Sequence, residues 1–329
     1  MVRIRKKPNK NKTRKQKAFL FVVLSIILVA SFFIINKNII EKKAEAQNKL
    51  FVYSNESLFR PLMKSAAKDI DLNITNGLLV MVNSKTGKEK ILYEKNADAS
   101  NPIASMSKLM TAIVALESYD LDQPILLSSK DIAAIVSTGG NPKALKKANL
   151  KDLLSIMLIE SNNDVANALA NQMEKGKFVE AMNKKSKEMG LNNTIFYNPS
   201  GLDEDDSTTN RASANDLKKI IIYIMANHKI IPEICSVQET DYFINNILFK
   251  KLINTNILLR ASPDYLWGKT GYTKEANGCI ILVLKKPFSF AFEGKNEYLI
   301  SVIMGAGSKA DRFIEAEKLE NWITNSFIW

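Results

Sequence analysis

The chain has 329 residues, 46% of them hydrophobic and 24% charged, so it can bury a large core, and its composition excludes a disordered or fibrous protein. Its formal net charge of +12 would be typical of a nucleic-acid binder if it were spread over the fold. However, the first seventeen residues hold nine of the 46 basic residues and none of the 34 acidic ones, so we expect no nucleic-acid partner.

The N-terminal region predicts a membrane anchor. Residues 1–17 form a basic tail, and residues 18–35 are uncharged and apolar, long enough for a helix of roughly 27 Å that spans a bilayer. The positive-inside rule keeps the tail in the cytoplasm and places the rest of the chain on the periplasmic or extracellular side. The alternative is a cleaved signal peptide, for which Ala44-Glu45-Ala46 offers a distant cleavage site. Residues 36–72 are typical of a stalk.

The remaining residues, 73–329, predict one α+β domain. Two apolar runs around a glycine-containing turn, 77–83 and 91–93, predict a β-hairpin. Helical spacing follows at 105–116 and dominates 150–228, strands return at 267–273, 279–284 and 298–304, and a last helix covers about 310–327. We therefore expect an antiparallel sheet flanked by helices plus a mainly helical lobe at about 115–228, with the functional site in the cleft between them.

Three short polar motifs lie in this domain. They are Ser105-Met106-Ser107-Lys108, Ser161-Asn162-Asn163 and Lys269-Thr270-Gly271. Each is common by chance, and the second is by itself more typical of a helix break with capping residues.

The first motif predicts a serine nucleophile activated by lysine. Ser105 and Lys108 are three residues apart at a helix start, so their side chains face the same way. Burial and a second lysine would lower the pKa of Lys108 enough for it to act as a base. The only histidine, His228, lies near a helix end without a nucleophile-elbow motif, and the two cysteines, Cys235 and Cys279, have no metal-site spacing. We expect no metal and no cofactor.

The third motif lies in a strand. Its backbone can pair with an extended peptide, Lys269 supplies a cation for a carboxylate, and Gly271 permits close backbone approach. The second Lys-Thr-Gly of the chain, Lys85-Thr86-Gly87, falls in the predicted hairpin turn, and we interpret it as structural.

Together with longer segments, these motifs resemble the D-alanyl-D-alanine carboxypeptidase family of serine peptidases, the low-molecular-mass penicillin-binding proteins. The resemblance runs from about residue 77 to 312. The segments that carry it besides the three motifs are Asn96-Ala97-Asp98, Pro102-Ile103-Ala104, Asn198-Pro199-Ser200-Gly201-Leu202, Asn254-Thr255-Asn256-Ile257-Leu258-Leu259 and Tyr272-Thr273-Lys274-Glu275-Ala276.

The resemblance implies roles for the motif residues. Ser105 would be the acyl-ester nucleophile, Lys108 the general base, Ser161 a proton relay and Asn163 an orienting residue. Substrate would be bound by Lys269, Thr270 and Gly271, and the backbone N–H groups of Ser105 and Tyr272 would form the oxyanion hole. The implied substrate is a peptidoglycan stem peptide ending in D-Ala-D-Ala, and β-lactams are the implied inhibitors.

Two residues depart from the family pattern. Asn162 stands where glycine is common, and Thr255 stands where some members carry an arginine that meets the substrate carboxylate. The chain also ends soon after the catalytic domain, so we expect the N-terminal span to serve as its anchor.

Three other functions stay open. A DD-endopeptidase that cuts cross-links uses the same motifs. A class A β-lactamase would need a Glu-x-x-Leu-Asn element, which the acids at 203–206 do not supply. An inactive, membrane-tethered wall-binding protein would not need three intact motifs.

Overall fold

In a computed structural model, residues 61–65, 67–203, 208–285 and 296–329 are described. The strands are β1 (Leu62–Met63), β2 (Asn76–Asn83), β3 (Glu89–Lys95), β4 (Asn101–Pro102), β5 (Arg211–Ala212), β6 (Glu239–Ile244), β7 (Ile247–Ile253), β8 (Tyr265–Thr273), β9 (Asn277–Lys285), β10 (Glu297–Ala306) and β11 (Phe327–Ile328). The helices are α1 (Lys108–Ser118), α2 (Ser129–Val136), α3 (Pro142–Leu145), α4 (Leu150–Ile159), α5 (Asn163–Asn171), α6 (Lys175–Glu188), α7 (Ala214–Asn227), α8 (Ile230–Cys235) and α9 (Asp311–Ser326), with 3₁₀ turns at Ala104–Ser107 and Ile257–Arg260.

The central element is a five-stranded antiparallel sheet in the order β3-β2-β10-β9-β8. Successive side chains point to opposite faces of the sheet. The inner strands carry apolar side chains on both faces, because each face is covered by other parts of the domain. On one face Leu78, Val80 and Val82 join the core of the helical lobe. On the other, α9 packs over β9 and β10 around a cavity of about 250 Å³. The strand β8 lies at one edge of this sheet and, among the described residues, pairs only with β9.

The helical lobe is built around α1, whose first eight residues are all buried. The surrounding helices begin at defined caps: Ser128 and Asn149 each form a reciprocal capping box with an aspartate three residues later, Asp131 and Asp152. These caps set the first residues of α2 and α4. The helix α4 ends at Ile159, two residues before Ser161 of the second motif.

A two-stranded ribbon of β6 and β7 was absent from the sequence-based prediction. Its inner face buries Ile244, Phe249 and Leu252, whereas Phe243 and Leu248 stay exposed. Adjacent lysines at 250 and 251 interrupt the apolar alternation, which is why the pattern did not indicate strands. The ribbon leads directly into Thr255 at the candidate site.

The predicted antiparallel sheet with flanking helices and a helical lobe is confirmed. The predicted basic tail, the span at 18–35 and most of the stalk lie outside the described residues. Within the described ranges, no helix is both long and apolar enough to cross a bilayer.

Candidate active site

The first motif begins in a strained 3₁₀ turn. Ala104, directly before Ser105, has φ of +47°, in the left-handed region that non-glycine residues rarely adopt. The turn is held by its buried members Ala104, Met106 and Ser107, and Ser107 Oγ donates to the Ala104 carbonyl at 2.8 Å. Ser105 stays partly exposed, so its hydroxyl faces the cleft at the start of α1.

Lys108 is fully buried beneath Ser105. Its Nζ lies 2.8 Å from Ser105 Oγ, and it donates to Asn163 Oδ1 at 2.7 Å and to the Ser200 carbonyl at 2.6 Å. Burial lowers the pKa of Lys108 well below its ordinary value, and the charge of Lys269 lowers it further. Both causes shift the amine toward its neutral form, the form that can act as a base.

The loop 198–202 supplies the third partner of Lys108. Asn198 Oδ1 accepts from the backbone N–H groups of Ser200 and Gly201, which sets the loop's turn. Gly201 has φ of +78°, and a Cβ there would lie 1.9 Å from the Ala104 carbonyl oxygen. Asn210 Nδ2 donates both to Ser107 Oγ and to the Asn198 carbonyl. The loop is thus pressed against the nucleophile turn.

The second motif connects α4 to α5. Ser161 has φ of +60°, again a strained position. Asn162 is buried and accepts from the Val165 N–H at 2.9 Å, so its side chain caps α5. Asn163 opens α5 and faces Lys108. In place of the common glycine, Asn162 thus supplies a helix cap at this turn.

The third motif brings a second buried lysine to the cleft. Lys269 is 1% exposed; its Nζ donates to Ser161 Oγ at 2.8 Å and to the Thr270 carbonyl at 3.0 Å. Burial lowers the pKa of Lys269 to about 7, and the charge of the Arg312 guanidinium adds to this shift. Lys269 thereby links the third motif to the second.

Thr255, the residue at the arginine position, contacts the third motif directly. Its Oγ1 lies 2.7 Å from Thr270 Oγ1, and its N–H donates to the Ile159 carbonyl at 3.1 Å. The hydroxyl pair adjoins Lys269, because Thr270 directly follows Lys269 in β8.

Gly271 brings β8 against the nucleophile turn. A Cβ at Gly271 would lie 3.0 Å from the Ile103 carbonyl oxygen and 3.1 Å from the Ser105 nitrogen, so the close approach is to the protein's own turn. The next residue, Tyr272, is 45% exposed at the mouth of the cleft. Behind the strand, the buried Arg312 donates to the Gly271 carbonyl at 2.9 Å.

The structure therefore gathers all eight predicted site residues around one cleft. The second Lys-Thr-Gly lies apart, exposed in the β2–β3 turn, and His228 contacts Glu117 at 3.1 Å on the helical lobe. Both cysteines are buried and free. In the described part of the chain, no group of three or more His, Cys, Asp or Glu side chains is placed to hold a metal ion.

Sequence reasoning assigned no role to the Ser200 carbonyl, Asn210 or Arg312. The only signal that points to the segment 198–202 is the family resemblance. A backbone carbonyl carries no side-chain signal, and Arg312 looks like any cation of an amphipathic helix until the fold buries it.

Comparison with known proteins agrees with this geometry. The profile of the D-alanyl-D-alanine carboxypeptidase family matches residues 63–308. The chain belongs to this family. The expected serine peptidase is thereby confirmed, and the motif residues belong to a peptidase domain of the penicillin-binding type.

Several family members are similar over most of the chain. A D-alanyl-D-alanine endopeptidase of Escherichia coli is 30% identical over 76% of this chain and 77% of its own length. A D-alanyl-D-alanine carboxypeptidase of Bacillus subtilis is 33% identical over 73% of this chain and 60% of its own. Penicillin-binding protein D2 of Listeria monocytogenes, solved with ampicillin bound, has a TM-score of 0.63 and 29% identity, covering 78% of this chain and 99% of that one.

Proposed function

We propose that the chain removes the terminal D-alanine from peptidoglycan stem pentapeptides through an acyl-serine intermediate. The observation that carries this proposal is the buried Lys108, with Ser105, Asn163 and Ser200 around its amine. A neutral amine has two N–H donors and one lone pair. Asn163 and Ser200 accept the two donors, which leaves the lone pair for the Ser105 hydroxyl.

In the first step Ser105 Oγ attacks the carbonyl carbon of the penultimate D-alanine while its proton passes to Lys108 Nζ. The carbonyl oxygen takes the negative charge and is stabilised by the N–H groups of Ser105 and Tyr272. The close packing of Gly271 on Ser105 supports this pairing of donors, because it brings the β8 backbone beside the nucleophile.

The leaving amine then needs a proton. Ser161 accepts a hydrogen bond from Lys269, so its own O–H is free to donate to the leaving nitrogen and to be replenished from Lys108. The C–N bond breaks, D-alanine departs, and water hydrolyses the acyl ester to regenerate Ser105.

A charged Lys269 donates two of its three N–H groups to Ser161 and the Thr270 carbonyl. The third, with the Thr270 hydroxyl, would hold the terminal carboxylate of the substrate. The edge of β8 opposite β9 would hold the peptide backbone as an added strand.

The test uses the full chain in detergent with a pentapeptide ending in D-Ala-D-Ala. We expect release of free D-alanine that disappears in Ser105→Ala. Lys269→Met should abolish most turnover, whereas Lys85→Met, the same change in the other Lys-Thr-Gly, should leave it intact. D-alanine release by Ser105→Ala at the unsubstituted rate would contradict the proposal.

The similarity to an endopeptidase of Escherichia coli supports a second candidate, cleavage of cross-linked peptides at the same site. A cross-linked dimer offered beside the pentapeptide distinguishes the two activities. β-Lactams should acylate Ser105 and leave slowly; rapid turnover of a chromogenic cephalosporin would instead indicate a β-lactamase. We also propose that the span at 18–35 tethers the protein to the membrane. If it does, the full chain should stay in the membrane fraction during alkaline extraction.

A further inference from the structure

A cluster of lysines without acidic partners lies on the helical lobe, away from the cleft. Residues 132–151 contain four lysines and no aspartate or glutamate. Lys143 lies in α3, Lys146 and Lys147 lie in the turn that ends it, and all three are exposed. Their side chains form no ion pair with any residue in the described ranges.

The fold fixes these lysines in an outward orientation. Ala144 and Leu145, between them in sequence, are completely buried and hold α3 against the domain. Asn141, at the start of α3, donates its N–H to the Phe249 carbonyl at 3.0 Å. The three cations therefore lie in a segment that is anchored to the domain by buried side chains and a backbone hydrogen bond.

The same element contacts the tip of the β6–β7 ribbon. Asn245, in the turn of the ribbon, donates its side-chain amide to the Lys147 carbonyl at 2.7 Å. On either side of that turn, Phe243 and Leu248 face each other across the strands and are 57% and 48% exposed. Two large apolar side chains are thus presented to solvent beside the three cations.

From this arrangement we propose that Lys143, Lys146, Lys147, Phe243 and Leu248 form a membrane-docking surface for anionic phospholipid. Lysine amines on long apolar stems reach anionic headgroups while an adjacent apolar pair enters the acyl boundary. A soluble polyanion would be attracted to the lysines but would gain nothing from Phe243 and Leu248. Of the ribbon's two acidic residues, Glu239 lies at its base and pairs with Lys251 at 2.7 Å, and Asp241 lies opposite the same lysine in the strand register.

Docking at this surface would set the height of the catalytic cleft. The strand β7 has seven residues, which at about 3.3 Å each separate the ribbon tip from its base, next to Thr255, by roughly 23 Å. The cleft would then stand about that far from the lipid, at a height suited to a polymer outside the membrane.

The experiment places a fluorescent tryptophan at the tip of the β6–β7 ribbon in one variant and at a matched position on the central sheet in another. Leu248→Trp and Ile91→Trp replace side chains that are each 48% exposed, the second on β3 of the sheet. Each full-length variant is reconstituted into vesicles whose acyl chains carry bromine, with or without phosphatidylglycerol, and the quenching of the unsubstituted chain is subtracted. We expect quenching at Leu248→Trp in anionic vesicles only, and none at Ile91→Trp.

Replacing Lys143, Lys146 and Lys147 together by glutamine should lower the docked-to-undocked ratio roughly 100-fold, at about fivefold per lysine. Raising the salt concentration should act in the same direction without any substitution. Penicillin acylation in detergent verifies that each variant is folded. Equal quenching at both reporters, no quenching at Leu248→Trp, or loss of quenching on adding soluble polyglycerol phosphate would overturn the proposal, the last indicating an anionic polymer as the partner.

Discussion

Replacing Gly201 by alanine should separate the loop 198–202 from the nucleophile turn. The new Cβ would lie 1.9 Å from the Ala104 carbonyl oxygen, whereas carbon and oxygen normally approach to about 3.3 Å, so the backbones must move apart by more than 1 Å. We expect a loss of about 3 kcal/mol in the free energy of unfolding, from about 1–2 kcal/mol for the left-handed conformation and about 1–3 kcal/mol for overpacking.

The same movement should slow catalysis, because Ser200 accepts from Lys108 at 2.6 Å and a displacement near 1 Å costs on the order of 100-fold in rate. The assays are urea unfolding and the rate constant for acylation by penicillin. Gly87→Ala is the matched control: its φ is +68°, nothing lies within 4 Å of its Cβ, and it should lose about 1 kcal/mol with unchanged acylation. Normal acylation by Gly201→Ala would refute the role given to the loop.

Three further predictions concern single side chains near the cleft. Thr255→Val removes the hydroxyl that contacts Thr270 and should lower kcat/KM for the pentapeptide about tenfold, with penicillin acylation less affected. Asn162→Ala should cost about 1 kcal/mol in urea unfolding without slowing acylation, because the side chain caps a helix. The pKa of Lys269 is about 7 in the folded protein and 10.5 at its ordinary value. Between these two pH values Lys269 is protonated in the unfolded chain and neutral in the folded one, so the free energy of unfolding rises with pH over this range. Lys269→Met should remove up to about 1.4 kcal/mol per pH unit from that slope in unfolding titrations.

The sheet and the helix that follows the nucleophile could be predicted because their apolar residues form regular patterns in the sequence. Strands β2, β9 and β10 are apolar along their length since both faces of the sheet are covered, and the apolar side chains of α1 recur at helical spacing, as at Leu109, Ile113 and Leu116. The side chains of the three motifs could be predicted because their order along the chain is characteristic of the family.

Other features depend on tertiary contacts that the sequence pattern does not contain. The ribbon β6–β7 has only one buried face, and a pair of adjacent lysines interrupts it, so the alternation of apolar and polar residues is indistinct in its sequence. Whether Gly271 approaches substrate or the protein itself depends on where β8 packs, and the fold places it against Ser105. The left-handed conformations of Ala104 and Ser161 are imposed by packing, since neither residue favours them.

The two buried lysines determine how activity should depend on pH. Burial disfavours a proton on both amines, and the charge of Lys269 further disfavours a proton on Lys108, while Lys269 keeps its own proton up to about pH 7. Acylation should therefore fall at low pH as Lys108 becomes charged, and turnover of carboxylate-terminated peptides should fall above about pH 7 as Lys269 becomes neutral. In Lys269→Met the acidic limb of penicillin acylation should move to higher pH, because the pKa of Lys108 is then no longer lowered by its neighbour. An acidic limb that stays in place would mean that burial alone makes Lys108 a base.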